Sequence, residues 1–123
     1  RGAVANMDVE LVRTAVAEAD RLRLPVFAHP QNTAGLEAAI AGGVDILAHT
    51  APMSPAWTPE FAARLKAADI ALVPTLTLFR AEGEAAKVPP AELQRWIEHA
   101  LAQVRAFRAA GGEILFGTDI GYI

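Results

Sequence analysis

Apolar residues along this chain fall into two kinds of stretch. Some are spaced three and four apart, which predicts amphipathic helices. Others form short unbroken runs, which predict buried strands. Asn6 or Asp8 caps a first helix that carries Val9, Val12, Val16 and Ala19 on one face and ends near Leu22. A strand follows at about 25–29. The next helix starts after Asn32 or Thr33, carries Leu36, Ala39 and Ile40, and stops at Gly42-Gly43. A second strand covers about 45–49. Pro52 and Pro55 break the loop between Thr50 and Thr58, and Thr58-Pro59-Glu60 opens a helix to about Ala68. The third strand is Ile70 to Thr75, with Pro74 marking its finish. Residues 78–87 form a short helix or lid segment. Pro89-Pro90 opens a long helix through Leu93, Ile97, Leu101, Val104 and Phe107, closed by Gly111-Gly112. A fourth strand is expected at about 114–118.

The order is helix, strand, helix, strand, helix, strand, helix, strand. No Asn-Gly or Asp-Gly turn joins two strands, so the sheet is expected to be parallel. Four strands are too few to close a barrel of eight. The fold class is therefore α/β, either a small open sheet or half of a (β/α)₈ barrel. The 53% hydrophobic content among 123 residues suits strands buried on both faces. One domain is expected.

Composition narrows the function more by exclusion than by suggestion. The net charge of −3 with no basic stripe argues against a nucleic-acid partner. With no cysteine, disulfides and thiolate metal sites are excluded, and a reducing compartment such as the cytoplasm is compatible. No apolar run approaches the roughly 20 residues of a membrane helix. The chain begins with Arg1, and both ends read as cuts, so an upstream signal peptide is left open.

The chemistry sits at strand ends. Pro25-Val-Phe-Ala-His29, Asp45-Ile-Leu-Ala-His49 and Ile114-Leu-Phe-Gly-Thr-Asp119 each close an apolar run with a side chain that binds first-row metals. Taken singly, each His has an ordinary role bonded to a carbonyl, and Asp119 one as a helix cap. Together, at the carboxyl ends of parallel strands where such folds place their chemistry, they predict a metal-centred active site. A carboxylate such as Asp119 can take a proton from metal-activated water and pass it to a leaving group.

The series Pro-Val-Phe-Ala-His29, Gly-Gly-Val-Asp-Ile-Leu-Ala-His49, Ala-Leu-Val-Pro-Thr75 and Ile-Leu-Phe-Gly-Thr-Asp119 resembles the C-terminal half of the amidohydrolase superfamily. The nearest branch looks like the imidazolonepropionase and Xaa-Pro dipeptidase-like hydrolases. The resemblance spans essentially the whole chain. It implies strands five to eight of a TIM-type (β/α)₈ barrel, a partial domain over 1–123 with its N-terminal half and C-terminal end absent. It implies that His29 and His49 are metal ligands from strands five and six, and that Asp119, from strand eight, is both ligand and proton shuttle. His49 would instead bond the substrate carbonyl if the site holds one metal. The family's first-strand His-x-His pair does not occur here, and its fourth-strand bridging Lys or Glu would precede Arg1. The resemblance thus implies one or two divalent ions, zinc foremost, in the complete enzyme, and possible absence of metal from this fragment, which should be inactive alone. The substrate would be a small cyclic amide or a dipeptide.

Tyr122 is a candidate substrate contact, with packing at the barrel mouth as its alternative. His99 matches no family ligand and reads as a helix-surface residue. Trp57 and Trp96 read as packing, and Arg80, Glu82 and Glu84 as a solvated helix. Ser54, the only serine, sits in no nucleophile elbow. Two other readings stand beside the hydrolase. In one, the chain is a non-catalytic half-barrel, ordered by homo-oligomerisation that covers its open strand edges. In the other, it belongs to a parallel-barrel enzyme without metal, in which the two His and Asp119 do not converge.

Overall fold

The computed structural model describes residues 5–119. Helix α1 spans Val9–Leu22, strand β1 Phe27–Ala28, α2 Thr33–Gly42, β2 Ile46–Ala48, α3 Pro59–Ala67, β3 Ala71–Val73, α4 Leu76–Ala85 and α5 Pro90–Ala109. The strands form one parallel sheet in the order β1-β2-β3, with Phe27 opposite Ile46 and Leu47 opposite Leu72. This confirms the parallel α/β class and the succession of βα units.

Local chemistry sets the helix boundaries. Asp8 caps α1 by accepting from the Glu10 N–H, and Asn32 caps α2 by accepting from Gly35. Thr58 caps α3, with Pro59 in its first turn. Gly43 ends α2 at φ 79°, a left-handed conformation that glycine adopts without Cβ strain. Helix α1 packs on α2 through a close approach at Gly42, where an added Cβ would lie 2.2 Å from Val12 Cγ1. No residue of α1 is fully buried, so its apolar face is only half-covered.

The core lies between the sheet and its helices. Leu36, Leu47, Leu65, Leu72, Trp57 and Phe107 are buried in one cluster, with Val12, Val16 and Val26 packed at its margin. Leu47 and Leu72, adjacent in the sheet, face these helices. Phe27, 56% exposed, does not, so the opposite face of the sheet is open among the described residues.

The fourth strand is shorter than expected. Ile114 makes a single parallel bridge to Leu72, held by Leu72 N–H to Glu113 O and Leu115 N–H to Leu72 O. Beyond it, Phe116 is 94% exposed and has no sheet neighbour to extend the ladder among the described residues. The other strands are also shorter than their apolar runs. At the start of the β1–β2 pair, the Asp45 carboxylate accepts the Val26 N–H at 2.7 Å. At the far ends, His49 and Thr75 adopt positive φ, which stops a regular ladder.

Candidate active site

Parallel strands place their carboxyl ends on one side of the sheet, and four polar residues gather there. His29 follows β1, His49 follows β2, Thr75 lies two residues past β3, and Asp119 follows the Ile114 bridge. His49 is the centre of the group and is buried, 6% exposed. The His29 and His49 rings meet edge to face with centroids 4.6 Å apart. The His49 Nε2 atom lies 3.7 Å from Asp119 Oδ2, and the Asp119 side chain is half-exposed. Phe79, from α4, closes the other side of the imidazole at 6.3 Å between centroids.

The inner edge of His49 is held by Thr75, whose Oγ1 lies 2.5 Å from Nδ1. The apolar run ending in Thr75 gave no hint of this role. Thr75 is the N-terminal boundary residue of α4, a place where threonine usually caps the helix through its hydroxyl. Here it makes no such cap bond, and the hydroxyl goes to His49 instead. Three members of the group carry left-handed backbone: His49 at φ 75°, Thr75 at φ 41° and Asp119 at φ 53°. For a β-branched residue such as Thr75 this is a true outlier. Conformations of this kind cost roughly 1–3 kcal/mol each and cluster where side chains must be aimed rather than packed.

Burial, then the neighbouring charge of His29, pushes the His49 pKa below the ordinary imidazole range, against the opposing pull of Asp119. His49 is therefore neutral near pH 7, and its contact with Asp119 is not a full ion pair. At 3.7 Å the contact is also longer than a hydrogen bond, so Nε2 is unbonded among the described residues. His29 is exposed, with the Gln31 amide nitrogen 3.3 Å from its Nε2. An amide nitrogen only donates, so this ring nitrogen accepts. Beside it lies a cleft of about 230 Å³ lined by Asn6, Met7, Ala28, Gln31 and Gly35.

These donor atoms fit a first-row divalent ion in kind: two imidazole nitrogens and a carboxylate. In placement they form two pairs, His29 with His49 and His49 with Asp119. Among the described residues, no three His, Asp or Glu side chains form a group that could hold an ion. A parallel-barrel enzyme without metal was expected to keep the two His and Asp119 apart, and these pairings run against that expectation. Tyr122 lies outside the described residues.

Behind the site, two α5 side chains reach the loop that follows His49. Gln103 is fully buried and bonds the backbone of Ala51, Ser54 and Pro55. His99 was expected on the helix surface. It is half-buried, its Nδ1 3.2 Å from the Pro52 carbonyl. The long loop between Thr50 and Thr58 needs partners for its carbonyls, and that need was the available signal for both residues.

Comparison with solved structures relates the fold to known proteins. The ochratoxinase of A. niger superposes with a TM-score of 0.78 at 28% identity, over 94% of this chain and 26% of that one. An amidohydrolase superposes at 0.68 with 27% identity, over 92% of this chain and 28% of its own. The chain is built like a piece of an amidohydrolase-family protein. A Xaa-Pro dipeptidase with bound methionine in its active site shares the fold, with a TM-score of 0.71 and 24% identity over 98% of this chain and 30% of its own. The chain thus spans between a quarter and a third of the length of the amidohydrolase-family structures it matches. No family model and no curated protein matches the sequence.

Proposed function

We propose that this chain is part of a metal-dependent amidohydrolase that cleaves an amide-like C–N bond in a small cyclic amide or a dipeptide. The observation that carries the reading is the approach of His29 and Asp119 to a buried, neutral His49 at the carboxyl ends of parallel strands. The likeness to an amidohydrolase and a Xaa-Pro dipeptidase supports it. In this reading the chain supplies strands five to eight of a (β/α)₈ barrel, and the remainder of a longer protein supplies the other half.

His29, His49 and Asp119 would hold a divalent ion, zinc being the first choice for two imidazoles and a carboxylate. When bound, such an ion polarises the substrate carbonyl and acidifies water. Thr75 orients the His49 ring, and burial keeps it unprotonated. In the alternative, a one-ion site that leaves His49 out of the ligand set, His49 would instead donate a hydrogen bond to the substrate carbonyl. Asp119 accepts a proton from the attacking water. It returns that proton to the leaving nitrogen as the C–N bond breaks, so the cycle ends with Asp119 ionised again. Tyr122 would contact the substrate. A cytoplasmic location is part of this reading, and the lack of cysteine is compatible with it.

The test is the longer protein assayed on cyclic amides and dipeptides with and without a chelator. Activity should require a divalent ion, and Asp119→Asn should lower kcat by about 10²–10⁴-fold. Full activity in that variant would sink the assignment.

A second reading draws on Phe27, exposed on the open side of the sheet, and on Phe116, exposed beyond the Ile114 bridge. Two copies of the chain could cover these exposed apolar side chains and the open strand edges as a non-catalytic homo-oligomer. A sedimentation profile of monomer alone at micromolar concentration would reject this reading.

A further inference from the structure

Gln103, on α5, is 0% exposed, yet it belongs to a residue type rarely found fully inside. Burying an amide is unfavourable unless its hydrogen bonds are made. Here they are made, all to one loop. Oε1 accepts from the Ala51 N–H at 2.9 Å. Nε2 donates to the carbonyls of Ala51 and Pro55 at 2.9 Å and lies 3.2 Å from that of Ser54. His99, one turn earlier on the same face of α5, meets the Pro52 carbonyl through Nδ1. A carbonyl only accepts, so that nitrogen carries the proton.

This loop begins immediately after His49. On the other side, the His49 N–H donates to Val73 O at 2.8 Å. The residue is thus pinned by β3 at its own nitrogen and by Gln103 two residues on. Between these anchors His49 keeps its left-handed φ of 75°. A strained backbone persists only where its surroundings over-determine it. Ser54, in the same loop, meets the Thr33 hydroxyl at 3.3 Å, which ties the loop to the start of α2, just past His29.

We propose that Gln103 is a positioning residue. Its side-chain amide locks the 51–55 loop, holds His49 in its strained backbone conformation and so sets the His49 ring against Thr75 and Asp119. The functional meaning of this lock rests on the hydrolase reading above, whereas the lock itself is a property of the chain.

Nuclear magnetic resonance on the 123-residue chain tests it. In the unaltered chain the Ala51 amide should exchange with solvent as slowly as core amides of β2, because its bond to Gln103 opens only with the fold. An Ala51 amide that exchanges like an exposed loop amide overturns the proposal without any variant. In Gln103→Met, which keeps volume and helix propensity but removes the amide, Ala51 exchange should quicken roughly a hundredfold, as the loss of about two or three buried hydrogen bonds predicts. The His49 ring protons should lose their contacts with Thr75 and shift toward solvent values. The control is Leu93→Ala, which opens a cavity at the far end of α5 and should lower Tm while leaving the His49 ring signals in place. A folded Gln103→Met variant with unmoved His49 signals overturns the proposal, and so does an equal movement in the control. The two readings fail separately. An unmoved ring refutes the lock whatever His49 does. A His49→Ala longer protein with undiminished activity refutes the function whatever Gln103 does.

Discussion

Thr75→Val isolates the contact that aims His49. Valine matches threonine in shape and keeps the β-branched side chain at φ 41°, so backbone strain is common to both chains. What changes is the hydroxyl 2.5 Å from His49 Nδ1. Thr75 is 4% exposed and His49 6%, so water does not readily replace the lost partner. Removing one partner of a buried hydrogen bond leaves the other desolvated, at a cost of about 1–3 kcal/mol. A double-mutant cycle with His49→Phe separates that cost from packing, because phenylalanine has no nitrogen left to satisfy. Urea unfolding of the four chains should give Thr75→Val a loss of about 1–3 kcal/mol in the His49 background and well under 1 kcal/mol in the Phe background. The coupling energy should exceed about 1 kcal/mol. Additivity within about 0.5 kcal/mol would show that the two side chains share no energetically meaningful bond and would refute the argument that Thr75 holds the ring.

Phe107 is 1% exposed against Trp57 and the sheet core, and Phe107→Ala should cost about 3–5 kcal/mol in denaturant unfolding. Gly42→Ala places a methyl group against Val12 and should destabilise by about 1–3 kcal/mol, with partial recovery when Val12→Ala is added. The Arg64–Glu37 pair joins α3 to α2 bidentately, but both side chains are largely exposed, so Glu37→Gln should change stability by less than about 1 kcal/mol. His49 also predicts a pH dependence. Its folded pKa is pushed down, first by burial, so the unfolded chain binds the proton at higher pH than the folded one. With divalent ions chelated, stability should fall as pH drops below the unfolded imidazole value of about 6.5 and level off below the folded value. His49→Phe should remove that contribution.

The helices were legible because their signals are local. Asp8, Asn32, Thr58 and Gly43 act at the positions where their side chains or backbone freedom predict. The direction and order of the strands followed from the βα alternation. Strand lengths did not, because His49 and Thr75 leave the extended conformation to serve a neighbour in space. His29, His49 and Asp119 were visible as metal-binding residue types at strand ends, and their approach to one another follows from parallel pairing. Thr75 was hidden in a run that reads as the end of a strand, since its partner is 26 residues away. Gln103 and His99 were obscured in the same way. On a helix, glutamine and histidine read as surface, and only the folded loop of 51–55 gives them work. The Ile114 strand was overread because an apolar run does not by itself show how far pairing extends: it meets β3 at the Leu72 bridge alone, and Phe116 beyond it is exposed.

Titration of zinc into the longer protein, beside its His49→Ala and Asp119→Asn variants, tests the central claim most directly. Zinc should bind the unaltered protein, with affinity at least about tenfold weaker in each variant, since each removes a donor atom. Binding of equal strength in all three proteins would contradict the assignment of His49 and Asp119 to a metal site.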